Sequence, residues 1–189
     1  MIRIGILGNI GSGKSYVAKN FGYPVFNADY EVSKLYKKDK KIFKKLKKKL
    51  PKYISSFPIN KNEITKAILS NKVNLKKIIT IVHLEIRKIL KLFLKKNRYK
   101  KVIILDIPLL LENKINNKDD ILVFVDSKKI EIEKRLKKRL NFNRKLINKF
   151  KKIQFSSSYK KRRSNFIIKN NFKKKSLNKS IKKILNEIL

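Results

Sequence analysis

Residues 8–15 read Gly8-Asn9-Ile10-Gly11-Ser12-Gly13-Lys14-Ser15. This stretch matches the pattern G-x-x-x-x-G-K-[ST] of a phosphate-binding P-loop at every fixed position. Residues 2–7 before it are apolar and β-branched, as in a buried strand, and residues 16–21 after it can continue as a helix. Such a loop points backbone N–H groups at phosphate oxygens beside a helix N-terminus. The sequence therefore predicts that Lys14 reaches the β- and γ-phosphates of a nucleotide and that the Ser15 hydroxyl holds Mg²⁺.

The composition is strongly biased toward lysine. The chain has 52 basic and 13 acidic residues, a net charge of +39, and only 8 of the basic residues are arginine. Lys, Asn and Ile together make 91 of the 189 residues, and their codons carry only A or T in the first two positions. We interpret the charge as mutational bias, because the lysines lie along the whole chain and not in one block. The chain also lacks a basic patch interleaved with aromatic residues of the RNA-binding kind. A basic nucleic-acid-binding protein powered by the P-loop is the alternative from another class, and we expect no specific nucleic-acid partner.

Length and segment composition set further limits. At 189 residues the chain is predicted to form one domain, or a core with one insertion. It has no run of 18 uncharged apolar residues, so no transmembrane helix and no membrane partner are expected. Because the first strand begins at once, there is no room for a signal peptide, and we expect a cytoplasmic protein. The absence of cysteine excludes disulfides and thiol catalysis.

Strand and helix patterns alternate along most of the chain. Further strands are predicted at residues 23–27, 101–105, 121–125 and 166–168. Helices are predicted up to residue 35 and at residues 37–50, 74–96, 128–140, 144–153 and 177–189. This alternation favours an α/β fold with a parallel sheet flanked by helices. The stretch of about 31–97 has no convincing strand, so we interpret it as a helical insertion in a core of residues 1–30 and 98–189.

Three carboxylates follow predicted strands, where a parallel sheet binds its ligands. Asp106 ends a Val-Ile-Ile-Leu run and fits the role of a Mg²⁺ ligand, often through water. Asp29 lies just past the second strand and fits the role of orienting or deprotonating an accepting hydroxyl. The alternative for each is a turn or a helix cap, and Asp126 is the most open to that interpretation.

Arginine is rare enough here for its placement to be informative. Arg135 and Arg139 share one predicted helix face, and Arg144 follows a short break. We predict a lid over about residues 138–150 whose arginines clamp phosphates, the alternative being a solvated helix face. His83, the single histidine, lies in an apolar stretch, where a histidine is more often a core residue than a catalyst. No cluster of His and carboxylates has metal-ligand spacing, so only nucleotide-bound Mg²⁺ is expected.

Several of these segments resemble dephospho-CoA kinases, the last enzymes of coenzyme A synthesis. Residues 8–15 are similar to the family's Gly-Gly-Ile-Gly-Ser-Gly-Lys-Ser, and residues 26–29 resemble its Asp-Ala-Asp element. Residues 106–112, Asp-Ile-Pro-Leu-Leu-Leu-Glu, resemble its Pro-Leu-Leu-Phe-Glu element, which is the most specific match. Residues 82–84 stand where the family has His-Pro, and residues 166–170 resemble its Val-Ile-Asp-Asn strand. The positions of Arg135, Arg139, Arg144 and Gln154 fit the family's spacing.

The resemblance implies a P-loop kinase fold with a helical acceptor-binding insertion and a lid. The implied reaction is ATP-dependent phosphorylation of the ribose 3′-hydroxyl of dephospho-CoA, giving coenzyme A and ADP, with Asp29 as base or orienter. ATP would be bound by Gly11, Ser12, Gly13, Lys14, Ser15 and Tyr16 and by the lid residues Arg139 and Arg144. The acceptor would be bound by His83, Arg87, Pro108, Leu109 and Glu112. A monomer or weak homo-oligomer is expected, and a P-loop kinase for another nucleoside, nucleotide or small metabolite is the alternative.

The chain also departs from the family pattern elsewhere. Asn27 replaces the first Asp of Asp-Ala-Asp, and Leu84 replaces the Pro after the histidine. Ser164 and Asn165 stand where the family has Ala-Asp, and a Gly expected soon after Asn170 is missing. These departures put the adenine-binding edge in question more than the rest of the site.

Overall fold

The structure, a computed structural model, describes residues 1–139 and 142–189. The chain forms two compact units. The first comprises Met1–Asn27, Asn97–Asn143 and Lys151–Leu189, and the second comprises Ala28–Lys96 and Arg144–Phe150. Leu140 and Asn141, which belong to the predicted lid, lie outside the described residues. The lid and the exact bounds of the insertion remain predictions.

A five-stranded parallel sheet forms the centre of the first unit. Its strands are β1 (Ile2–Gly8), β2 (Val25–Asn27), β3 (Val102–Asp106), β4 (Ile121–Asp126) and β5 (Phe166–Lys169). Their order in the sheet is β2-β3-β1-β4-β5. The register sets Asn27 opposite Asp106 and Gly8 opposite Val125, so the carboxyl ends of the strands form one edge. The predicted α/β fold with a parallel sheet is confirmed.

The helices lie between the strands along the chain. They are α1 (Lys14–Asn20), α2 (Ala28–Lys38), α3 (Lys40–Lys49), α4 (Lys61–Ser70), α5 (Lys72–Lys96), α6 (Lys129–Lys137), α7 (Arg144–Lys151), α8 (Ser157–Arg162) and α9 (Lys174–Ile188). In the first unit α1 and α9 cover the sheet, where apolar side chains such as Ile4, Ile104, Ala18 and Ile181 form one buried cluster. Burying both faces of β3 explains why its sequence is a continuous apolar run.

The second unit is built on the long helix α5, which contacts α2, α3 and α4. Its buried side chains recur at helical spacing and are Leu75, Ile78, Val82, Ile86 and Leu90. The predicted helix over 37–50 is interrupted, because Asp39 adopts extended backbone and its side chain caps α3 by accepting from the N–H groups of Lys41 and Ile42. Asn60 caps α4 in the same manner, through the N–H of Asn62. Within residues 1–139 and 142–189, every helix is too short or too polar to cross a lipid bilayer.

Candidate active site

The glycine loop between β1 and α1 has backbone angles that only glycine adopts easily. Gly11 and Gly13 have φ angles of +88° and +91°. A Cβ on Gly13 would lie 2.5 Å from the Asn170 side-chain nitrogen and 3.0 Å from the Phe172 ring. A Cβ on Gly11 would lie 3.0 Å from the nearest side-chain atoms of α6. The loop is therefore enclosed by α6 and by the segment that follows β5.

Two side chains from distant segments hold the Ser12 carbonyl. The Ser127 hydroxyl and the Asn170 side-chain amide both donate to it, each at 2.9 Å. The side-chain oxygen Oδ1 of Asn170 accepts from the N–H of Phe172 at 3.0 Å, and the Arg135 guanidinium lies over the Phe172 ring, 4.1 Å from its centroid. The end of β4 and the end of β5 thus fix the middle of the loop.

Lys14 is the first residue of α1 and lies within the loop. Its Nζ donates to the carbonyls of Gly8 at 3.1 Å and Asn9 at 2.9 Å. The N-cap residue of α1, Gly13, makes no side-chain cap, so the N–H groups of the first turn suit another acceptor. Ser15 and Tyr16 are exposed in the same turn. This arrangement suits an anion with several oxygens, such as a nucleotide phosphate.

Asp106 ends β3 beside the loop and is 3% exposed. Its carboxylate accepts from the Asn27 side-chain amide at 2.6 Å. Burial raises the pKa of this carboxyl above its ordinary value, while a hydrogen bond from Ser15 and the positive charge of Lys14 lower the pKa in part. Hydroxyl and carboxylate oxygens are the donors Mg²⁺ prefers, so Ser15 and Asp106 fit this ion. In the described part of the chain, no cluster of three or more His, Cys, Asp or Glu side chains could hold a metal by itself.

The segment after Asp106 is attached to α8 and to the turn before it. Glu112 Oε1 accepts from Lys160 Nζ at 3.0 Å and from the N–H of Phe155 at 2.8 Å. The Gln154 side-chain amide donates to the Pro108 carbonyl at 3.2 Å. Lys160 is 1% exposed, so this is a buried ion pair. Glu112 Oε2 is also buried and has no hydrogen-bond partner among the described residues.

The other predicted site residues belong to the second unit or to the end of α6. Asp29 is exposed in the first turn of α2, and Arg87 is exposed on α5. His83 is half-buried one turn before Arg87, and burial, with the charge of Arg87 added, lowers its pKa. Arg144 begins α7, and Arg139 follows α6; both are exposed.

The structure brings Lys14, Ser15 and Asp106 together, while Asp29, His83, Arg87 and Arg144 lie in the second unit. Asp126 forms an ion pair with Lys161, at 2.8 Å. Sequence reasoning assigned no role to the groups that hold the loop and its surroundings, which are Asn9, Ser127, Lys160 and Asn170. Lys160 carries no signal of its burial, since it is one of 44 lysines.

Comparison with known proteins identifies the family to which this site belongs. The family model for dephospho-CoA kinase matches residues 2–176. The chain belongs to the dephospho-CoA kinase family. A dephospho-CoA kinase of Wolbachia pipientis is 33% identical over 190 residues, covering 98% of this chain and 97% of that protein.

Solved structures support the fold of this chain. A crystal structure of a Thermus thermophilus protein has a TM-score of 0.81 at 26% identity and covers 100% of this chain and 98% of its own. The dephospho-CoA kinase of Campylobacter jejuni has a TM-score of 0.61 at 20% identity, covers 98% of this chain and 96% of its own, and supports the fold alone. Membership in the dephospho-CoA kinase family confirms the predicted reaction, ATP-dependent phosphorylation of dephospho-CoA, and the enzyme class, a phosphotransferase.

Proposed function

We propose that this chain transfers the γ-phosphoryl group of ATP to the ribose 3′-hydroxyl of dephospho-CoA with the residues predicted from its sequence. The observation that carries the assignment is the cluster of Lys14, Ser15 and Asp106 at the carboxyl ends of β1 and β3. In a parallel sheet this is the edge where ligands bind. The exposed, uncapped first turn of α1 supports phosphate binding at the same place.

The reaction exchanges one P–O bond for another. The 3′-oxygen forms a bond to the γ-phosphorus, the bond from that phosphorus to the β–γ bridging oxygen breaks, and ADP leaves. Lys14 binds the phosphates as negative charge moves to the bridging oxygen, and Arg139 and Arg144 neutralise charge from the lid. Gly11, Ser12, Gly13, Ser15 and Tyr16 complete the phosphate site through the loop and the first turn of α1.

Asp29 receives or orients the proton of the 3′-hydroxyl. Its exposure in the first turn of α2 leaves the carboxylate accessible to an acceptor. The residue two positions earlier is Asn27, which is bound to Asp106, so a single carboxylate of the family's Asp-Ala-Asp element remains for this task. Catalysis is then mainly positioning and electrostatic stabilisation.

Ser15 and Asp106 hold Mg²⁺ when ATP binds. The ion supplies positive charge that partly neutralises the phosphates. Asp106 is kept in place by the Asn27 amide, and burial limits its access to bulk water. Both effects restrict the motion of the Asp106 carboxylate at the end of β3.

The acceptor is held by His83, Arg87, Pro108, Leu109 and Glu112. A half-buried histidine next to an arginine offers a donor and a positive charge to a phosphate-bearing ligand. Glu112 Oε1 is bonded to Lys160 and Phe155. Its other oxygen, Oε2, is left to accept a hydrogen bond from dephospho-CoA.

Several broader features belong to the same proposal. The chain acts in the cytoplasm as one kinase domain, with a core of residues 1–30 and 98–189, a helical insertion over about 31–97 and a lid over about 138–150. It functions as a monomer or weak homo-oligomer without a specific nucleic-acid or membrane partner. Its net charge of +39 gives only salt-sensitive, unspecific attraction to polyanions.

The deciding experiment incubates the purified protein with Mg-ATP and dephospho-CoA and measures coenzyme A by mass spectrometry. The wild type and Lys182→Ala, which changes an exposed lysine of α9, should form coenzyme A, and Lys14→Ala should not. A panel of nucleosides, nucleotides and small metabolites at equal concentration tests the choice of acceptor. Absence of coenzyme A with retained ATP binding would refute the proposed reaction and leave the fold unaffected.

A further inference from the structure

The hydrogen bond between Ser157 and Asn9 connects α8 to the glycine loop. Ser157 Oγ donates to Asn9 Oδ1 at 2.8 Å across 148 positions of sequence. Asn9 is a variable position of the P-loop pattern, so the nucleotide-binding motif itself does not require this side chain. The contact is therefore a feature of this chain that its motif does not account for.

Asn9 also fixes the position of Lys14 through its backbone. Its carbonyl accepts from Lys14 Nζ at 2.9 Å and from the N–H of Ser12 at 3.1 Å. A side chain held at Oδ1 limits rotation of the Asn9 residue, and with it the direction of the carbonyl on which the ammonium rests. The Ser157 hydroxyl on α8 thus affects the position of Lys14 through Asn9.

Ser157 is in turn held in place by the buried ion pair. Ser157 and Lys160 are three positions apart on α8, so their side chains lie on neighbouring positions of one face. Lys160 pairs with Glu112 at 3.0 Å, and the same Glu112 oxygen accepts from the N–H of Phe155, two residues before Ser157. Glu112 therefore anchors the chain on both sides of Ser157.

A buried ion pair is weak support for stability alone, because removing two charges from water offsets most of their attraction. Its value here is geometric, since it determines where a short helix lies against the loop. We propose that Ser157 is a positioning residue for ATP binding, acting through Asn9 on Lys14, and that the Lys160–Glu112 pair keeps Ser157 at its place. This inference rests on the proposed role of the glycine loop in binding ATP.

The test is a double-mutant cycle on ATP affinity with Ser157→Ala, Asn9→Ala and the combined variant. Isothermal titration with a non-hydrolysable ATP analogue gives the dissociation constants, and steady-state kinetics gives KM for each substrate. Each single variant should weaken ATP binding about 3–10-fold, and the combination should weaken it no further. KM for dephospho-CoA should not change. Ser157→Thr, which keeps the hydroxyl, should restore most of the affinity.

Ser158→Ala is the matched control, because Ser158 is the next residue of α8 and its hydroxyl lies 3.1 Å from that of Ser156. It should bind ATP as the wild type does. Lys160→Met should weaken ATP binding at least as much as Ser157→Ala. If Lys160→Met does not fold, the Ser157–Asn9 cycle, which changes no buried charge, still decides.

Unchanged ATP affinity in Ser157→Ala, or additive losses in the cycle, would overturn the inference. A wild type that binds ATP and makes no coenzyme A would count against the proposed reaction instead. The two failures are distinguishable, because the first is measured as ATP affinity and the second as formation of coenzyme A.

Discussion

The glycine loop and the helical second unit obtain their shapes in opposite ways. The loop is held by side chains from far along the sequence, among them Ser127, Ser157 and Asn170. The second unit is held by local caps, such as Asp39 and Asn60, and by the regular apolar face of α5. The loop therefore depends on residues from distant parts of the first unit, whereas α3 and α4 of the second unit begin at caps formed by neighbouring residues.

The two regions therefore differ in how many substitutions they tolerate and in how much their sequences say about the ligand. A loop held by many distant contacts tolerates few changes, and its phosphate chemistry follows directly from its motif. Helices built from apolar periodicity tolerate many sequences, so their pattern says little about the ligand. The variants below test this difference by comparing turnover, ATP binding and stability after substitutions in the loop and in the second unit.

The largest effect is expected from Asp29→Asn in the second unit. If Asp29 orients or deprotonates the acceptor hydroxyl, turnover falls about 10²–10⁴-fold, because the amide cannot accept the proton. ATP affinity should stay at the wild-type value, since the loop is unchanged. Steady-state turnover and calorimetric ATP binding measure the two quantities.

Asp39→Asn is the control for that variant, because Asp39 caps α3 and asparagine caps equally well. It should keep wild-type turnover and stability. Full activity of Asp29→Asn would remove Asp29 from the mechanism and leave the second unit with a role in binding only.

The next effect is expected in the loop, from Gly13→Ala compared with Gly22→Ala. Both glycines have positive φ, +91° and +74°, so both variants acquire backbone strain of about 1–2 kcal/mol. Only at Gly13 would the added Cβ also overlap Asn170 and Phe172, while at Gly22 nothing lies within 4 Å. The overlap should cost about 1–3 kcal/mol more in unfolding free energy and abolish tight ATP binding.

Urea unfolding and ATP titration of these two variants measure the comparison. Gly22→Ala should bind ATP normally despite its strain. Equal behaviour of the two variants would mean that the enclosing contacts do not determine the loop.

A smaller effect is expected from Lys149→Met in α7. Lys149 Nζ donates to the carbonyls of Ile68 and Leu69, at 2.7 and 2.8 Å, in the last turn of α4. A cation at a helix C-terminus is stabilising, so its loss should lower the unfolding free energy by about 1 kcal/mol. Thermal or urea unfolding detects this change. Lys145→Met, on an exposed position of the same helix, should change stability little, and an equal loss there would point to general charge effects.

The smallest effect is expected from the pH dependence of His83. Burial, with the charge of Arg87 added, lowers the pKa of this histidine below its ordinary value of 6.5. The unfolded chain therefore binds the proton more readily than the folded one. The contribution of His83 to the free energy of unfolding is complete above pH 6.5 and is lost as the pH falls below that value. His83→Gln should show a flatter stability profile between about pH 5 and 7 in urea unfolding. An unchanged profile would show that His83 titrates alike in both states.

The sequence was most informative where a physical requirement can be met by only a few residue types. The glycine loop, the apolar run of β3 and the period of α5 each predicted their element, since backbone conformation, burial and helical spacing leave direct patterns. The break between α2 and α3 was predicted at residue 36 and lies at Asp39, because the cap at Asp39 stands within a lysine-rich stretch that continues the helical pattern. Helix α8 was missed because it is short and polar.

Candidate site residues divide in the same way. Lys14, Ser15 and Asp106 were predicted from motif and strand end, and the structure places them together. The burial of Lys160 could not be predicted, because pairing with Glu112 depends on two segments 48 positions apart in the sequence. Roles for His83 and Arg87 came only through family resemblance, since an apolar helix face carries no information about a ligand.

The hydrogen bond from Asn170 to the Ser12 carbonyl joins residues 158 positions apart. During synthesis the amino-terminal motif leaves the ribosome first, and at ~5–20 residues per second roughly 8–30 s pass before Asn170 is added. Throughout that interval the nascent chain carries the whole P-loop motif without one of the two side chains that hold the Ser12 carbonyl. Both side-chain hydrogen bonds to the Ser12 carbonyl can therefore form together only after residue 170 has been added.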